Sequence, residues 1–112
     1  MSKFVKIGLI GFVFLFCSCD KNKESITLKN TESYFHNFHL SGDEEGASIK
    51  VQAKYYEMSE IYRDEYMNVI YHYKPLADFV GNDFVVVETY SNKTGVGAGI
   101  TRRVKLNFTI TK

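Results

Sequence analysis

The chain has 112 residues, 45% hydrophobic and 24% charged, with a formal net charge of +1 and only two cysteines. That length suits one small domain rather than several. The near-neutral balance excludes a protein drawn to nucleic acid by net charge, and there is no acidic tail.

Met1–Lys6 carries Lys3 and Lys6 and no acid, and Ile7–Phe16 is an apolar run of ten residues. Such a run is helix-competent but too short for a bilayer core, which needs about 20 residues. A buried core strand is the competing reading. It is disfavoured by the position behind two lysines and by the abrupt polar end. A basic start, a short apolar stretch and a small residue before the break predict a secretory signal peptide over 1–18.

The end of this stretch, Leu15-Phe16-Cys17-Ser18-Cys19, resembles the lipobox of bacterial lipoproteins at Leu15, Ser18 and Cys19. Phe16 stands where an aliphatic residue is usual, and Cys17 where Ala or Ser is usual. The resemblance implies cleavage between Ser18 and Cys19, a diacylglycerol on the Cys19 sulfur and a further acyl chain such as palmitate on the new amine. Each buried methylene is worth about 0.8 kcal/mol, so two or three chains hold a domain on a membrane essentially permanently. Losing Lys3 and Lys6 takes the 14 basic residues to 12, against 13 acidic ones. Cys19 is then the one cysteine left, so no disulfide is expected in the folded part. The expected location is the cell envelope, at the outer membrane or cell surface rather than the inner membrane.

Residues 19–32 read as a tether. Asp20-Lys21-Asn22-Lys23-Glu24-Ser25 is polar and lacks apolar side chains, as flexible linkers do. Charged residues in this position also resemble the sorting signals of some Gram-negative lipoproteins, although a solvated linker is the plainer reading. Ile26–Lys29 suits a short strand, and 33–112 forms the domain. Ser33–Leu40 is aromatic and extended, and Ser41–Gly46 has turn chemistry. Ala47–Glu57 alternates as one strand, with Ala47, Ile49, Val51, Ala53 and Tyr55 on one face and Tyr56 on the other. Met58–Glu65 is the least strand-like segment and reads as a loop or single helical turn. Tyr66–Tyr73 is a strand closed by Pro75. Phe84–Tyr90 is another, and Ser91–Gly99 is a glycine-rich hairpin connection. The last strand sets Ile100, Arg102, Val104, Leu106, Phe108 and Ile110 on one face. Short alternating strands without an amphipathic helix predict an all-β antiparallel sandwich or small barrel.

Tyr73-Lys74-Pro75-Leu76-Ala77-Asp78-Phe79-Val80-Gly81-Asn82-Asp83-Phe84 resembles a stretch of bacterial immunoglobulin-like and cadherin-like repeats, on Tyr73, Pro75, Phe79, Gly81 and Asp83. The final phenylalanine comes one residue early. The resemblance implies a single immunoglobulin-like sandwich. In it the proline ends a strand, Phe79 caps one end, Gly81 makes the bend and Asp83 bonds turn amides.

No constellation for catalysis stands out, and no cofactor or metal is expected. His36 and His39 lie three apart, which on a strand points them to opposite faces. Asp43, Glu44 and Glu45 lack calcium-loop spacing. Gly95-Val96-Gly97-Ala98-Gly99 precedes a strand rather than a helix, so it offers no phosphate site. Tyr56, Tyr62 and Tyr66, with Arg63, are the candidate partner-contact residues, against a plain role in covering strand edges. Gly95 and Gly97 join them as a hairpin tip. The expected function is a non-catalytic binding or scaffolding module whose partner is an envelope protein or glycan. A small inhibitor or immunity lipoprotein acting through its end loops is the alternative.

Overall fold

The computed structural model describes residues 22–91 and 100–112. The predicted signal helix with Ser18 and Cys19 lies outside the described residues, as do Gly95 and Gly97. The described residues form seven strands: β1 (Lys23–Lys29), β2 (Tyr34–Asn37), β3 (Glu45–Val51), β4 (Tyr56–Arg63), β5 (Val69–Pro75), β6 (Gly81–Ser91) and β7 (Ile100–Thr111). They form two sheets, β1-β7-β6-β3 and β2-β5-β4, packed as a sandwich. The described residues contain no helix.

Inward side chains make the core that the alternation predicts. Tyr71, Tyr73, Val85, Val87 and Leu106 are fully buried, and Phe108 and Ile110 nearly so. Tyr73 lies flat on Phe108, with ring centroids 4.0 Å apart. Burying two tyrosines demands partners for their hydroxyls. Tyr73 donates to Asp83 Oδ2 at 2.9 Å. Tyr71 bonds Ser59 Oγ at 2.6 Å, and Ser59 passes its own proton to Gln52 Oε1. Desolvation raises both phenol pKa values above the ordinary range; the bond and charge of Asp83 push Tyr73 further the same way. The folded state therefore holds protons that the unfolded chain releases above about pH 10. The contribution of these two phenols should be level below that pH and fall above it, with Tyr71→Phe reducing the fall; urea midpoints across the alkaline range would show it.

Strand β1 lies parallel to β7, Lys23 opposite Lys105 and Lys29 opposite Thr111. Every other pairing is antiparallel. Only Ile26 and Leu28 of β1 turn toward the core, so Lys23–Ser25 reads as linker, and β7 supplies the order. Lys23–Lys29, inside the stretch predicted as tether, is thus strand.

The predicted single strand Ala47–Glu57 is instead two strands in different sheets. The chain leaves β3 at Val51, crosses at Gln52–Tyr55 and enters β4, where a bulge sits between Tyr56 and Met58. Asp83 Oδ1 and Oδ2 hold the crossing by accepting from Lys54 N and Tyr55 N, both at 2.9 Å. The predicted loop or helical turn at Met58–Glu65 is mostly strand β4. Its inward positions are Ser59, Ile61 and Arg63, opposite Tyr73, Tyr71 and Val69. Two of those three are polar, so hydrophobic alternation cannot reveal the strand.

In the Tyr73–Phe84 stretch, several residues have backbone roles. Pro75 is the last residue of β5. Gly81 has φ +147°, and a Cβ there would press on the Phe79 ring at 3.1 Å. Phe84 faces out, half-buried beneath Lys105, while Val85 faces in.

Candidate functional site

Strands β2, β4 and β6 all run toward one end of the sandwich, and β3, β5 and β7 start there. Glu45 pairs with Ser91, Ser91 with Ile100, and Arg63 with Val69, which fixes that end. The connections 38–44 and 64–68 emerge side by side at it. The 64–68 connection is tightly built. Asp64 Oδ1 accepts from Tyr66 N and Asn68 N, both at 2.9 Å, and Asp64 Oδ2 from Asn68 Nδ2. Backbone bonds Met67 N to Asp64 O and Asp64 N to Asn68 O close the loop. Desolvation works to raise the Asp64 carboxyl pKa, but these donors outweigh it and the net direction is downward. The loop's bonds therefore persist at neutral pH.

Arg63 braces the loop from inside. Its guanidinium donates to Met67 O at 2.9 Å and also to Glu45 O. The result is a tip carrying Tyr66, 73% exposed, and Met67, 51% exposed, with Met67 in the left-handed region at φ +68°. A non-glycine residue there is disfavoured, and such strain persists only where surrounding bonds hold it. The neighbouring connection adds Asp43 and Glu44, both exposed. Below the tip is a cleft of about 160 Å³, lined in part by Ile61, Tyr62, Val69 and Tyr90.

Glu45, only 8% exposed, steadies the adjacent connection. Its Oε1 accepts from Ser41 N and Gly42 N, and its Oε2 from Ser91 Oγ. It is therefore a structural carboxylate and not part of an acidic ligand cluster. Among the described residues no group of three or more His, Cys, Asp or Glu is placed to hold a metal ion.

The structure divides the predicted contact residues. Tyr62 and Tyr66 share this end and are exposed. Tyr56 does not join them: it pairs with Pro75 at the opposite end and packs half-buried against the core. The Tyr56/Met58 bulge reverses the facing that simple alternation assigns to it. Arg63 is at the right end but is committed to two carbonyls instead of being offered to a partner. Met67 and Tyr90 were not singled out by the sequence. The signal for Met67 was the Asp64…Asn68 pair, two residues whose short side chains favour turns and bracket a presented tip.

The arrangement offers rigid apolar and aromatic surface edged by carboxylates, which suits non-covalent contact.

No protein-family model and no curated protein matches this sequence. Solved structures do resemble the fold. A cysteine protease inhibitor from Entamoeba histolytica is 12% identical with a TM-score of 0.48, over 81% of this chain and 89% of the inhibitor. An endo-fucoidan hydrolase of glycoside hydrolase family 107 is 11% identical with a TM-score of 0.53, over 95% of this chain. The chain spans 16% of that hydrolase. A second such hydrolase is 8% identical, with a TM-score of 0.47. At these identities the likeness is one of fold alone.

Proposed function

We propose that this chain is a lipid-anchored envelope protein whose sandwich is a non-catalytic binding or scaffolding module, working through the Tyr66–Met67 tip. The observation that carries the reading is the pairing of high exposure with tight internal bonding at 64–68. Loops that expose large apolar side chains without a partner are usually mobile, whereas this one is pre-organised, which lowers the entropy lost on association. Tyrosine and the deformable methionine thioether are suited to a protein surface. Asp43, Glu44 and Glu65 around them favour a partner with a basic rim. The anchor rests on Lys3, Lys6, the Ile7–Phe16 run and Cys19.

A Tyr66→Ser/Met67→Ser double variant keeps the core and the Asp64 bonds. In pull-downs from envelope extract followed by direct binding measurement, it should bind the partner of the wild-type protein about 30-fold or more weakly, as hot-spot truncation does. Equal binding by the double variant would remove the tip from the reading. A single tight enzyme partner that loses activity on binding would turn the module into an inhibitor.

A further inference from the structure

The charged residues are not evenly spread, although the mature chain is close to neutral. The outer face of the β1-β7-β6-β3 sheet carries Lys23, Lys29, Arg103 and Lys105, as the register of β1, β6 and β7 places them. Leu106, Phe108 and Ile110 alternate with them toward the core. On the β6 and β7 part of that face Glu88 is the carboxylate, and it meets Arg103 at 3.2 Å. Lys105 Nζ lies 4.4 Å over the Phe84 ring. Between the cations are short neutral side chains: Ser25, Thr27, Asn82, Asn107 and Thr109. The β1 and β7 part of the face is basic.

The tether enters on this same sheet. Lys23 lies opposite Lys105, five residues from Ile100 and six from Thr111. At about 3.3 Å per residue, β7 therefore extends roughly 17 Å and 20 Å to either side of the entry point. Cys19 precedes Lys23 by four residues, about 14 Å at full stretch. Standing the sandwich on either end lifts Lys23 farther from the lipid than that tether reaches. Resting it on the β2-β5-β4 sheet adds the sheet separation of about 10 Å plus the outer side chains. Lying on the β1-β7-β6-β3 face requires almost no reach.

We infer that this basic face lies on the anionic lipid surface that holds the acyl chains, with Lys29, Arg103 and Lys105 against lipid phosphates. The inference rests on lipid attachment at Cys19. It leaves the Tyr66–Met67 tip directed along the membrane, toward partners held beside it. The other sheet faces away.

The test uses the full lipidated protein in phosphatidylcholine vesicles with and without phosphatidylglycerol. Cys19 is blocked by lipid, so a fluorophore can be placed alone at Thr109→Cys, on the basic face, or at Glu60→Cys, on the opposite one. Lipids with a quencher on the headgroup should quench the Thr109 label in vesicles containing phosphatidylglycerol and leave the Glu60 label bright. Lys29→Gln with Lys105→Gln should weaken the face-down population about 25-fold and raised salt should weaken it likewise, both lowering that quenching, since each surface cation is worth about fivefold near an anionic membrane. Equal quenching at both positions overturns the inference, and so does Thr109 quenching that ignores phosphatidylglycerol and charge. Flotation of the vesicles separates the two ideas. Protein that floats but shows no face preference defeats the orientation alone, and protein that neither floats nor carries acyl mass defeats the anchor.

Discussion

Asp83→Ala should destabilise the domain by about 3–5 kcal/mol, the range for breaking a buried charged hydrogen-bond network. Asp83 is 6% exposed, and its two oxygens accept from Lys54 N, Tyr55 N, Phe84 N and the Tyr73 hydroxyl. Removing the carboxylate leaves the Tyr73 hydroxyl only its long 3.4 Å bond to Tyr55 O and releases the crossing from β3 to β4. Tyr73→Phe removes only one of the four bonds and should cost about 1–2 kcal/mol. Urea denaturation of both variants gives the comparison. A loss below about 1 kcal/mol for Asp83→Ala would mean the crossing is held by something else.

Cys19→Ala should abolish acylation and move the protein from membranes to the soluble fraction. A single acyl chain binds only marginally and two or more bind stably, so losing all of them changes partitioning by orders of magnitude. Labelled fatty acid should appear on the wild-type protein and on Cys17→Ser, and be absent from Cys19→Ala. Label on Cys19→Ala, or none on the wild type, would remove the anchor from the proposed function.

The parts of the fold legible in the sequence were those where one face is wholly apolar. Leu106, Phe108 and Ile110 announce β7, and Val69, Tyr71 and Tyr73 announce β5, because burial there is complete. The Tyr73–Asp83 stretch was legible for a different reason: Pro75, Gly81 and Asp83 each have a backbone role that few residue types can fill. Strand β1 was legible only in its second half, Ile26–Lys29, and β4 was read as a loop or helical turn. Ser59 is buried because Gln52 and Tyr71 satisfy it, and Tyr71 lies 12 residues away along the chain. The break at 52–55 is fixed by a carboxylate 28 and 29 residues onward, so local pattern cannot place it. At the candidate site, tyrosine composition picked out both Tyr66, which is exposed, and Tyr56, which packs half-buried against the core. A one-residue bulge decides between the two faces, and bulges leave little trace in periodicity.

The parallel course of β1 beside β7 also determines how the molecule carries mechanical load. Seven facing residue pairs join the two strands. When the protein's two termini are drawn apart along the strand axis, β1 slides against β7 rather than being unzipped from it. All the hydrogen bonds between them then share the strain, instead of yielding one at a time. An antiparallel first strand would peel open from one end under the same pull.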